Sequence, residues 1–158
     1  MGDTPSADKP LTDRLLRSWT RCRRRAWLDR HGNDQLRLYT AHRTLQLDDQ
    51  QRSFVALLAR KPGHGLQACE QGADGVVGLR LRSTTRDGLA VEAHPALLQR
   101  RKGSSRWGGF VYRPVLARQG RRLTREHRLQ LALAGRLLER LQQAPVPDGL
   151  ALAGSGRR

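Results

Sequence analysis

The chain has 158 residues, and Lys+Arg 30 against Asp+Glu 14 give a formal net charge of +16. A hydrophobic fraction of 37% supports one modest core and exceeds what marks a disordered tail, so a single charged domain is expected. No run approaches the ~18 consecutive apolar residues of a membrane span, and residues 1 to 10 lack the basic and apolar regions of a secretory signal, which predicts a cytoplasmic protein.

All but three of the 30 cations are arginines, the exceptions being Lys9, Lys61 and Lys102. Guanidinium forks pair with phosphate oxygens, and a cationic surface gains by releasing a polyanion's counterions. Nucleic acid is therefore the leading partner class. Cys22 and Cys69 stand far apart with no CxxC pair, so this chain alone builds neither a zinc site nor an iron-sulfur cluster, and both thiols are expected to be reduced.

Residues 1 to 10 read as a flexible leader. Thr12 and Asp13 then open a predicted helix that runs to about His31-Gly32. At 100° per residue, Leu15, Trp19, Cys22 and Ala26 share one face, with Leu16 and Trp27 beside them, while Arg14, Arg17, Arg21, Arg24 and Arg25 share the other. Arg23 projects toward the apolar sector. Residues 35 to 60 continue helically with a predicted break near Asp48-Asp49, where acids suit a new N-terminus. A short helix through Leu66 and Ala68 ends at Gly72.

The period then changes to two. Val77 to Arg82 alternates apolar and basic residues as a half-buried strand does, Arg86-Asp87-Gly88 supplies a hairpin turn, and Leu89 to His94 returns. Gly103 to Arg106 reads as a loop before a third strand, Phe110 to Arg118, in which Pro114 predicts an edge or a bulge. Thr124 caps a long helix to about Gln143; Gln130 points into its leucine sector, where a buried amide needs partners. Gly149 to Ala153 forms a last short strand, giving one domain over residues 11 to 153 and a polar tail over 154 to 158.

No nucleotide-binding glycine loop, nucleophile elbow or metal-ligand histidine pair is present in the sequence. The segment Ser18-Trp19-Thr20-Arg21-Cys22-Arg23-Arg24-Arg25-Ala26-Trp27, followed by Ala93 to Leu98, Ser105 to Gly108, Tyr112 to Arg118 and Leu129 to Ala134, resembles in order the motifs of RecB-like nucleases of the PD-(D/E)XK superfamily, relatives of the CRISPR-associated RecB-like exonucleases included. The resemblance covers most of residues 11 to 152 and implies an α/β fold with a restriction-endonuclease-like core: N-terminal helices, a three-stranded sheet, a long helix and a short final strand. In that family one acid lies on or after the second strand, and an acid-x-lysine triplet lies on the third. Here Ala96 stands at the first acid, Leu116 at the second and Arg118 at the lysine, while Gln130 matches the glutamine of a Q-x-x-x-Y motif whose tyrosine is replaced by Ala134.

Neither Ala nor Leu ligates a metal, and an arginine stays protonated and cannot serve as a base. The expectation is thus a nuclease-like domain that binds nucleic acid, DNA ahead of RNA, through Arg17, Arg21, Arg24, Arg25 and Arg118, with a degenerate site of Glu92, Arg118 and Gln130 and no cofactor. Relatives of the resembled family often continue into a second nuclease domain, which implies a separate nuclease domain or subunit as partner. Trp107 is a candidate base-stacking residue. Two alternatives stand beside this reading. One is a divergent nuclease that uses Glu92 and Glu70 with Mg²⁺ or Mn²⁺; the other is a basic assembly protein that docks on RNA-protein particles or an acidic partner.

Overall fold

The computed structural model describes residues 9–36, 41–118 and 122–153, with backbone alone at 34, 41–44 and 46–49. Most of the predicted leader and all of the predicted tail lie outside these residues. The fold is α/β, with N-terminal helices, strands, a long helix and a final strand in the predicted order.

Leu11–Thr12 forms a short strand, β1, and Thr12 then caps the first helix by accepting the Leu15 N–H at 3.1 Å. The single helix predicted to His31-Gly32 is two: α1 (Asp13–Arg21) and α2 (Arg23–His31), joined at an extended Cys22. The Ser18 hydroxyl donates to the Asp29 carboxylate. Residues eleven apart are separated by about 16 Å along a straight helix, so this bond exists only because the helix breaks. The predicted apolar face is buried only in part, before the break as well as after it. Ala26 is buried, whereas Trp19, Cys22 and Trp27 are exposed, and the Arg23 guanidinium lies 5.4 Å from the centre of the Trp19 ring.

After a 3-10 turn at Asp34–Leu36, α3 (Ala41–Leu57) runs unbroken through Asp48-Asp49, contrary to the break expected there. β2 (Gly63–His64) and α4 (Gly65–Glu70) follow, and α4 ends ahead of Gly72 as predicted. The strand read as Val77 to Arg82 divides at Gly78 into β3 (Gly75–Val77) and β4 (Leu81–Thr84), which belong to different sheets. Gly78 holds φ +69°, a left-handed conformation that side chains resist, and this turn lets one alternating run serve two sheets. The Arg86-Asp87-Gly88 turn leads to β5 (Ala90–Ala93) as expected.

The largest departure comes next. Leu97–Ser105 is a nine-residue strand, β6, antiparallel to β7 (Gly108–Arg118), where the sequence predicted a loop over Gly103 to Arg106. The long helix α5 (Arg125–Gln142) and the strand β8 (Leu150–Ala153) close the chain much as predicted.

The three-stranded sheet has the order β1-β5-β4, and a second sheet of five has the order β2-β3-β6-β7-β8, so the predicted third strand lies in the larger sheet. Leu97 and Leu98, adjacent on β6, point to opposite faces. Leu98 joins Tyr112, Ala134 and Leu138 in a core under α5, and Leu97 joins Phe54 of α3 with Val115 and Leu152. Burying each leucine contributes about 1.5–3 kcal/mol.

Pro114 lies inside the sheet on β7 and in regular register with Leu98, at neither the edge nor the bulge expected. At the rung Arg100↔Tyr112 the two N–H groups point away from each other, to Asp74 O and to the Gln142 side chain. Two residues on, Pro114 has the same orientation, with its nitrogen toward β8. The β8 pairing starts only at Val115↔Leu150, so no N–H is needed at Pro114.

Candidate functional site

The arginines meet where α1, α2 and the start of α5 come together. Arg17 on α1 is half-buried, and burial, with the guanidiniums of Arg21, Arg25 and Arg14, holds it below the usual arginine range, while Asp13 opposes. Arg21 reaches α5, with its Nε 2.6 Å from Glu126 Oε2. Arg24 and Arg25 are exposed on α2. Arg118 arrives from the end of β7 and acts on the same locus: His127, in the first turn of α5, is lowered mainly by burial, with Arg118, Arg21 and Arg17 adding to the effect against Glu126.

His127 also organises the helix start. Thr124 Oγ1 accepts the His127 N–H, and the Thr124 N–H donates to His127 Nδ1 at 3.2 Å, a reciprocal cap with histidine where glutamate is usual. That role needs Nδ1 unprotonated, in keeping with the depressed titration.

Glu92 lies in an adjoining cluster that shares Asp13 with Arg17. The parallel register Thr12↔Glu92 sets β1 beside β5, which brings Asp13, the first residue of α1, to His94 at 3.7 Å. Burial pushes the Asp13 carboxyl up, and His94 opposes. The Glu92 side chain is only 7% exposed; its Oε2 is 2.5 Å from Arg82 Nε, and its Oε1 is 2.6 Å from His94 Nε2 and 3.5 Å from Arg80 Nε. A pocket of about 510 Å³ opens over Glu92, Arg82, Ser83 and Thr84.

These residues do not fit a Mg²⁺ or Mn²⁺ site. A hard cation takes several oxygen ligands, and here each Glu92 oxygen already faces an arginine, Oε1 also meeting His94, while Asp13 meets the other imidazole nitrogen and the backbone of Arg14 and His94. Ala96, at the expected position of the first acid, packs against the apolar cluster of Phe54, Leu97, Val115 and Leu152. Glu70 is exposed at the end of α4. Among the described residues no group of three His, Cys, Asp or Glu is placed to hold a metal.

Each member of the predicted trio has surroundings of its own. Glu92 pairs with Arg80, Arg82 and His94; Arg118 joins the helix arginines; and Gln130, half-buried on α5, makes no side-chain hydrogen bond among the described residues. The structure does unite Arg17, Arg21 and Arg118, which the sequence left on separate segments. Trp107 is half-buried and packs edge-on against Tyr112, so it is no open stacking surface. Cys69 is fully buried, with its thiol pushed up to about 11 by burial and the Glu70 carboxylate, and Cys22 is exposed at the helix break.

The buried amide is Gln142, which sequence reasoning missed. It is fully buried, accepts the Tyr112 N–H at 2.9 Å and donates to Ala144 O at 3.3 Å. Gln130, Ala134, Leu138 and Gln142 form one stripe at spacing four, so the signal was present at both ends of it. Comparison of the sequence with protein-family models and with curated proteins finds no match.

Proposed function

We propose that the chain binds nucleic acid, DNA ahead of RNA, through the arginine surface of α1, α2 and the end of β7, and does not hydrolyse it. The observation that carries this reading is the crowding of Arg14, Arg21 and Arg25 around the half-buried Arg17 guanidinium, with Arg118 added from the sheet. Ordered like charges repel, and phosphates relieve that repulsion as their own counterions leave. On this reading the chain derives from a RecB-like nuclease that has lost its metal-binding acids and works beside a separate nuclease domain or subunit; the preference for DNA rests on that resemblance.

Fluorescence anisotropy with labelled DNA over a salt series tests it. Replacing Arg24 and Arg25 with alanine should lower the slope of log affinity against log salt by about 1.8, on the basis of ~0.9 per phosphate contact. Binding that ignores salt would refute the reading. So would strand cleavage in Mg²⁺ or Mn²⁺ that Glu92→Ala abolishes, because cleavage would make Glu92 a metal ligand in spite of its ion pairs.

A further inference from the structure

β6 and β7 outrun the sheet they belong to. The last rung of β6 with β3 is at Gln99, and the first rung of β7 with β8 is at Val115, so from Arg100 to Arg113 the two strands pair only with each other. One face of this ribbon is anchored. Tyr112 donates its hydroxyl to Ala73 O at 2.7 Å, Phe110 and Trp107 pack edge-on against it, and the Arg106 N–H is held by Gln142 O at 3.0 Å. An isolated hairpin is marginal in water, and these contacts supply its rigidity.

The other face is open. It carries Arg101, Gly103, Gly109 and Val111; the Val111 side chain lies over Gly103, while nothing lies over Gly109, so the backbone is bare at Gly109. Arg101 on this face, Lys102 on the face of its partner Phe110, and Arg106 at the ribbon's tip are exposed, and no acid pairs with them among the described residues, in contrast to Arg21, Arg82 and Arg113. Between Arg101 and Phe110 the sequence contains no Asp or Glu. The ribbon's aromatic rings are turned inward, which leaves no platform for unstacked bases.

The geometry points to the β6–β7 ribbon as a second nucleic-acid-contacting element, one that enters the major groove of a B-form DNA duplex with Arg101, Lys102 and Arg106 on the groove edges. This rests on the nucleic-acid reading above and adds the duplex form and the groove. Strands ~4.8 Å apart with Gly109 open at the leading face fit a groove ~12 Å wide, whereas the major groove of an RNA duplex is too narrow and deep to admit them.

The test uses the full chain and its R101A/K102A/R106A variant, with a 20-base-pair DNA duplex, the RNA duplex of the same sequence and the single strand. The expected result is a DNA-duplex salt slope lower by about 2.7 and at least about tenfold weaker binding, with RNA-duplex and single-strand binding unchanged. Wild-type protein should also protect guanine N7, which lies in the major groove, from methylation, and the variant should lose that protection. All three replaced side chains are exposed, and an unchanged melting temperature verifies the fold. Unchanged DNA binding by the variant, with the R24A/R25A protein weakened, overturns the ribbon and leaves the arginine surface standing. Equal losses on the DNA and RNA duplexes overturn groove entry. Salt-independent binding, or none, by wild-type protein overturns both readings.

Discussion

Replacing Gln142 by Met keeps the length of the side chain and removes its hydrogen bonds. Gln142 is fully buried, and its amide satisfies two main-chain groups, the Tyr112 N–H and the Ala144 carbonyl. The Tyr112 N–H faces the side of β7 where β8 does not reach, so the amide completes a strand edge that would otherwise be buried and unpaired. Each orphaned buried group costs about 1–3 kcal/mol, so Gln142→Met should destabilise by about 2–6 kcal/mol, partly offset by the apolar gain of the thioether. Urea unfolding followed by tryptophan fluorescence measures this as a lower midpoint at constant slope. Gln142→Glu supplies a sharper control. A protonated carboxyl can accept from Tyr112 and donate to Ala144, but a carboxylate cannot do the second. Burial raises the folded pKa of such a group, so its contribution is complete below the unfolded value near 4.3 and fades as the pH rises through the folded one. Loss of less than about 0.5 kcal/mol in the Met variant, with no pH dependence in the Glu variant, would show that the amide does not satisfy these groups.

His127 is depressed in the folded protein, so the neutral imidazole's contribution is complete above its ordinary value of 6.5 and is lost as the pH falls through the lower folded one. Melting temperatures between pH 7.5 and 5 should fall more steeply for wild-type protein than for His127→Ala. Glu126→Gln removes the carboxylate beside Arg21, an exposed pair that contributes only about 0–1 kcal/mol to stability; anisotropy should show DNA affinity rising about threefold or more, and a decrease would contradict the role given to Arg21. Gly78→Ala puts a side chain at φ +69° and against the His64 ring, and should destabilise by more than about 1 kcal/mol in urea titration.

Helices with caps and apolar stripes were legible in the sequence, and so were the 85–89 hairpin turn and the last strand, because each signal is local. β6 was not. Gln99-Arg100-Arg101-Lys102 has no alternation of apolar residues, since its outer positions face solvent, and its strand conformation comes from pairing with β7. The break at Cys22 carries no Gly or Pro, and the Ser18–Asp29 bond that goes with it forms only once α1 and α2 lie side by side. Among the candidate site residues, the arginines of α1 were placed by periodicity, and Arg118 joined them through the packing of β7, α5 and α1. Gln130 and Gln142 occupy equivalent ends of one stripe, and only the position of the Tyr112 N–H distinguishes them.

Helix α5 touches the arginine surface at its first turn, through Glu126 and His127, and the ribbon at its last, through Gln142. Within its 18 residues, Glu126 and Gln142 set these contacts about 24 Å apart. For a duplex to meet both at once it must run about seven base pairs or more, at ~3.4 Å each. The distance is written in residue count and so cannot drift gradually: one residue inserted in α5 adds about 1.5 Å but turns everything beyond it by about 100°, carrying Leu138 and Gln142 off the stripe that packs on the sheet. Substitutions can retune the charge at either end of this rod, while its length and phase are locked together by the core it covers.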